Sequence, residues 1–282
     1  MMKKIFLPLL SALALLPSFA AADRGVYGFD DRKDIFEAGP FYAKIARSVA
    51  AVMSGDMPVE NGLVKLDLHA IGPAYSLCAS ERFYNQPADS FCTASLVGPD
   101  LMLTAGHCVS SAASCREQKF VFGYEMGPNG EWPAILPADN IYSCAEIIVS
   151  TNNGTVDYAV VRLDRPVTGR EPLQIDRSGL PSVGDGVFAI GTPLGLPLKI
   201  ADNAHIRTVG VDSFISDLDT FGGNSGSPVF SARNGLIIGV LIAGGQDLTV
   251  SPENCVMTYT TPQNEGDGEW SATSTQFVPF IP

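Results

Sequence analysis

Three short segments hold residue types suited to acyl transfer. Leu103-Thr104-Ala105-Gly106-His107-Cys108 leaves an apolar stretch through a turn of small residues that presents one histidine. Val156-Asp157-Tyr158-Ala159-Val160-Val161-Arg162-Leu163 puts an acid at the mouth of an apolar, β-rich run. Gly222-Gly223-Asn224-Ser225-Gly226-Ser227-Pro228-Val229 sets a serine in a glycine-rich loop just before a strand. A serine hydroxyl is a poor nucleophile at neutral pH unless a base takes its proton as it attacks. Histidine titrates near that pH, so it can accept the proton and hand it to a leaving amine. A buried carboxylate on the far imidazole nitrogen holds the tautomer and stabilises the imidazolium. Glycines around Ser225 let the N–H groups of Gly223 and Ser225 converge on a developing oxyanion.

Rival residues fit ordinary structural roles better. His69 and His205 have no supporting motif. Asp164 follows the apolar run beside Arg165, which suits a surface ion pair. Ser227 falls after the loop's third glycine, Gly226. A glycine-rich loop can also cradle phosphate, but no lysine follows this one.

The elements that must carry these residues read as strands. Short apolar runs (SLVGPDLMLTA, KFVFGY, EIIVS, YAVVRL, VFAIG, SPVF, LIIGVLIA) recur between turn signals, and few helical patterns compete apart from a turn or two in VSSAASC after Cys108. That spacing predicts an all-β sandwich or barrel. Periodicity leaves IARSVAAVM, residues 45–53, open between strand and helix. Residues 23–44 are charged and turn-rich, an extended lead-in or short pro-segment, and Asp164 to Pro181 is the best linker. Two β units joined near 165–182 is the coarse organisation. Gly191 to Pro197 reads as a tight turn near the cleft, and Asn153-Gly154-Thr155 as a β-turn that also fits a glycosylation sequon.

Composition narrows the class. At 282 residues, 46% hydrophobic and 17% charged, the chain is long enough for a sizeable core and is not a disordered polymer. Eighteen Lys+Arg against 30 Asp+Glu give a net charge of −12, without the basic run that nucleic-acid binding needs. Lys3 and Lys4 precede the apolar stretch Ile5 to Leu16 and the small residues Ser18 to Ala22. This is the pattern of a secretory signal over residues 1–22, cut after Ala22 or Ala20, and too short to span a bilayer. Export to the periplasm or outside the cell makes Cys78, Cys92, Cys108, Cys115, Cys144 and Cys255 readable as three disulfides, with 15 possible pairings.

The three segments resemble the chymotrypsin-like (trypsin-fold) serine endopeptidases. TAGHC and GNSGSPV are strong motifs of that family, and the order His, Asp, Ser is the family's order. The likeness covers roughly residues 45–275. It implies two six-stranded antiparallel β-barrels with the active site between them: residues 45–170 carrying His and Asp, residues 171–282 carrying Ser. It assigns His107 as general base, Asp157 as its orienter, Ser225 as nucleophile, and Gly223 with Ser225 as the oxyanion hole. It also implies a Cys92–Cys108 bridge closing the histidine loop. Of the three pairings then left, Cys115–Cys144 with Cys78–Cys255 is preferred.

One departure concerns activation. Trypsin-like zymogens keep an Asp just before the nucleophile to pair with a newly cut N-terminus; here that residue is Asn224. The GGNSGSPV spelling resembles instead the bacterial branch that includes the glutamyl endopeptidases. Removal of a pro-segment after Arg24 or Gly25 is an open expectation. For specificity, Asp219 stands where a trypsin carboxylate meets substrate Lys or Arg, with Thr220, Leu241, Ala243 and Gly244 as the other expected pocket residues. The strand after the serine, Gly239 to Gly245, lacks the histidine that glutamyl members use. Cleavage after Lys or Arg is therefore expected, with glutamyl or small-residue preference as the alternative. A non-catalytic adhesin or binding module on the same fold is the alternative of another class. The reading calls for no metal or cofactor, peptide or protein substrates, no membrane once the signal is removed, and a monomer.

Overall fold

The structure is a computed structural model, described here for residues 25–154 and 156–282. The signal segment 1–22 lies outside the described residues. The first barrel consists of β1 (Val49–Ser54), β2 (Cys92–Leu96), β3 (Leu101–Thr104), β4 (Gln118–Phe122), β5 (Ile141–Asn152) and β6 (Asp157–Leu163). They close in the order β4-β5-β6-β3-β2-β1, every pair antiparallel. The second consists of β7 (Gly186–Gly191), β8 (Lys199–Val209), β9 (Ser213–Ser216), β10 (Pro228–Ser231), β11 (Ile237–Ala243) and β12 (Glu269–Thr273). Its order is β7-β10-β11-β12-β9-β8, closed by pairing of β7 with β8. The expected pair of six-stranded barrels is present.

Burial explains why several strands read as unbroken apolar runs instead of alternating. In β6, Ala159, Val161 and Leu163 point into the first barrel, while Tyr158 and Val160 point to a core shared with the second. In β7, Val187 and Ala189 fill the second barrel while Phe188 and Ile190 face that shared core. Both sides of each strand are buried, so both are apolar. Phe188 stacks on Phe230 at 4.7 Å and meets Tyr42 edge-on at 4.9 Å, packing the seam between barrels.

The ambiguous stretch 45–53 is both structures. A short helix, Pro40–Ala46, ends where β1 begins at Val49. The turn expected after Cys108 is the helix Ala112–Glu117, whose first turn is capped by Ser111 accepting from the Ser114 N–H at 3.1 Å. Residues 164–185 join the barrels and are tied down on the way: the Leu173 N–H donates to the Leu96 carbonyl, and Ile175 bridges to Ile237.

The three disulfides are Cys92–Cys108, Cys115–Cys144 and Cys78–Cys255. Among the described residues, no helix is long and apolar enough to cross a membrane.

Candidate active site

His107 and Asp157 are both placed by the first barrel. β3 ends at Thr104, the chain turns through Gly106–Val109, and His107 leaves that turn half-exposed. Gly106 has to be glycine: a Cβ there would sit 2.0 Å from the Thr151 carbonyl oxygen and 3.0 Å from Asp157 Oδ1. That approach lets the turn lie against the end of β5, where Ser150 Oγ donates to the Val109 carbonyl at 2.9 Å. Asp157 opens β6 and is buried. Its Oδ1 accepts the His107 backbone N–H at 3.0 Å and its Oδ2 lies 2.6 Å from His107 Nδ1. One carboxylate thus fixes both the backbone and the ring of the histidine. With Nδ1 donating, Nε2 is the acceptor.

Ser225 arrives from the second barrel, in the loop before β10. Its carbonyl accepts the Thr93 N–H at 2.8 Å, and the Cys92–Cys108 bridge lies alongside, with Cys108 Sγ 3.7 Å from that oxygen. Gly226, at φ +86°, allows this contact: a Cβ would meet Thr104 Oγ1 and the Thr93 carbonyl, each at 2.2 Å. The serine loop is therefore pressed onto Thr93 in β2, Thr104 at the end of β3 and Cys108. The sulfurs of Cys92 and Cys108 also lie near the His107 ring, but the disulfide consumes the thiolates a metal would need.

Within the described residues, the loop's hydrogen bonds use the amides of Gly222, Asn224, Gly226 and Ser227, and not those of Gly223 and Ser225. The Gly222 carbonyl accepts from the Leu194 N–H at 2.5 Å. The Gly223 carbonyl accepts from Thr93 Oγ1 at 3.0 Å and Thr192 Oγ1 at 3.1 Å. Leu194 and Thr192 come from the turn that sequence placed only near the cleft; it buttresses the Ser225 loop directly. Asn224 is buried and Ser227 Oγ lies 3.4 Å from its Oδ1, so neither faces the cleft.

Beside Ser225 lies a small pocket of about 110 Å³, lined by Phe221, Gly222, Leu241, Ala243, Gly244, Gly245, Asp247 and Glu269. Leu241, Ala243 and Gly244, expected as pocket residues, are among those lining it. Thr220 is buried behind the pocket and donates its hydroxyl to Glu269 Oε2. Asp219 does not line it. Its Oδ1 accepts the Tyr27 N–H and its Oδ2 the Asp31 N–H, both at 2.8 Å. Burial pushes this carboxyl up to about 7, against the opposing pull of those two amides.

The pocket's acids are Glu269, the first residue of β12, and Asp247, which accepts the Gly222 N–H at 2.6 Å. A Cβ on Gly244 would lie 2.2 Å from Glu269 Oε2, so this glycine makes room for the carboxylate. Sequence reasoning missed Glu269 because it belongs to no motif; the available signal was an acid at the head of a strand whose other residues are mostly buried. His69 and His205 are exposed, and Asp164 pairs with Arg165 at 3.1 Å on the surface.

Comparison with known proteins gives three further findings. Residues 92–240 match the model of the trypsin-like peptidase domain. Secreted RxLR effector protein 73 of Plasmopara viticola is 27% identical over 169 residues, 55% of this chain and 42% of that protein; the chain thus spans under half of this curated relative. Among solved structures, a Glu endopeptidase in complex with MPD is similar in fold, with a TM-score of 0.53 and 17% identity over 90% of this chain and 98% of that one.

Proposed function

We propose that the chain, which belongs to the trypsin-like peptidase family, is a serine endopeptidase that cuts after Lys or Arg through an acyl-enzyme on Ser225. His107 Nε2 takes the hydroxyl proton as Ser225 Oγ attacks the scissile carbonyl, and Asp157 holds the resulting imidazolium. The N–H groups of Gly223 and Ser225 receive the oxyanion. His107 then protonates the leaving amine, and water repeats the sequence to release the acid. The observation that carries the triad is the double hold of Asp157 on the His107 N–H and Nδ1.

The specificity rests on Glu269, buried at the pocket wall with Asp247 nearby. A substrate cation entering there gains a carboxylate partner, whereas a substrate glutamate would meet two like charges. This reading moves the pocket acid from Asp219 to Glu269. Secretion or export to the periplasm is part of the proposal, supported by the signal-like residues 1–22 and the three disulfides.

The test is digestion of a mixed peptide library by the purified protein, read by mass spectrometry, with Ser225→Ala as control. Cuts after Lys and Arg are expected, absent in Ser225→Ala and reduced on the order of a hundredfold in Glu269→Gln. Cuts after other residues, unchanged by Glu269→Gln, would overturn the pocket assignment and leave the nucleophile standing.

A further inference from the structure

The lead-in residues 25–34 pack behind the pocket and reach its lining residue Phe221. Val26–Tyr27 pairs in parallel with Thr260–Thr261, beyond the hairpin that follows Asp247. The Tyr27 and Asp31 amides meet the two oxygens of Asp219. The Arg32 guanidinium, itself buried, stacks 3.9 Å from the ring centre of Phe221, a pocket residue. Arg32 is held in turn by Asp30 at 2.8 Å, and Arg82 donates to the Asp30 and Arg32 carbonyls. Lys33–Asp34 pairs with the start of β8, where Asp34 meets the fully buried Lys199 at 2.7 Å. Two of these contacts, on Asp219 and on Phe221, fall in the stretch leading into the Gly223 amide.

We propose that residues 26–34 form an intramolecular strap that must be seated for the pocket and the Gly223 amide to hold their working geometry, and that Asp219 is the positioning residue that seats it. The proposal rests on Ser225 being the nucleophile. Two bonds from one carboxylate fix the strap's backbone at Tyr27 and Asp31 while Arg32 clamps Phe221, so strap and pocket wall order one another. Asp219 occupies the place where sequence suggested a contact with substrate; its carboxylate is spent on the chain's own lead-in. The charged groups around it are Asp30 and Arg32 from the strap, with Glu269 beyond Thr220.

The strap can be disturbed from either end without touching the triad. Gly28 is exposed, sits at φ +74°, and donates its N–H to the Thr261 carbonyl at 2.8 Å. Gly28→Pro removes that donor and forbids that φ. Asp219→Ala removes the seat, and Asp219→Asn, of equal size, keeps one acceptor and stays measurable if Gly28→Pro lowers folded yield.

Each variant of the full-length protein is assayed for kcat and KM on a peptide substrate, and hydrogen exchange is followed over residues 25–34 and 219–224. Both Gly28→Pro and Asp219→Ala are expected to raise exchange in both stretches and lower kcat/KM on the order of ten- to a hundredfold, with Asp219→Asn intermediate. The double variant should be no worse than the poorer single one, because both release the same contact. Exchange that rises in residues 25–34 while kcat/KM stays within about twofold of wild type overturns the proposal. Fluorophosphonate labelling of the wild-type protein keeps the two readings apart: if Ser225 is not labelled, the nucleophile assignment fails first.

Discussion

The two halves of the site are built differently. His107 and Asp157 stand at adjoining strand ends of one closed barrel, locked by a carboxylate that reaches the histidine's backbone N–H and its Nδ1 and by a glycine packed onto β5. The serine half is a set of loops. Its shape depends on a turn from residues 192–197, on Thr93 from the other barrel, and on the lead-in laid across Asp219 and Phe221. His107 is thus organised by contacts close to it in the sheet, whereas the pocket is organised by chain segments distant in sequence. Lesions on the first side should alter the chemical step alone. Those on the second should spread to binding and stability.

Asp157→Asn is the severest test of the first half. The amide presents N–H to His107 Nδ1 and favours the wrong tautomer, so kcat should fall on the order of ten-thousandfold with KM little changed. A comparable rise in KM in steady-state kinetics would show that the base half is not the self-contained unit described.

On the second half, Lys199→Met leaves Asp34 buried without its partner, and breaking such a pair costs about 3–5 kcal/mol. Burial already draws the lysine down to about 8 despite Asp34, so desolvation outweighs the pair's attraction. Urea denaturation measures the loss; a change below about 1 kcal/mol would remove the ion pair from the strap's anchorage.

A third effect is set by pH. The Asp219 carboxyl is raised from its ordinary value to about 7, so the folded protein keeps this proton to higher pH than the unfolded chain does. Its contribution to stability is therefore largest near pH 4 and declines as pH rises through about 7. The difference in unfolding free energy between wild type and Asp219→Asn should drift in that direction between pH 4.5 and 7.5. A drift of opposite sign would mean that the two amide bonds outweigh burial.

The strand runs and the fold class were legible in the sequence, and the three residues assigned to the triad lie in segments written in a few adjacent positions. TAGHC encodes a turn that must be small to lie on β5, and GNSGSP encodes a loop whose second glycine must lack a Cβ to meet Thr93 and Thr104. The pairing Cys92–Cys108 followed from resemblance, and the other two bridges were preferences that the fold contains.

The pocket was not legible in the same way. Asp219 has the right offset from Ser225 for a pocket acid, but an offset along the chain does not say which way a side chain turns. Here the lead-in supplies two N–H donors on one side, and the carboxylate points to them. Glu269 has no motif and reaches the pocket only because β12 lies between β9 and β11. The sequence by itself determined which groups are able to do chemistry, since reactivity belongs to residue type and immediate neighbours. Tertiary structure alone decided which acid lines the pocket, because a buried charge goes where partners from remote segments can satisfy it.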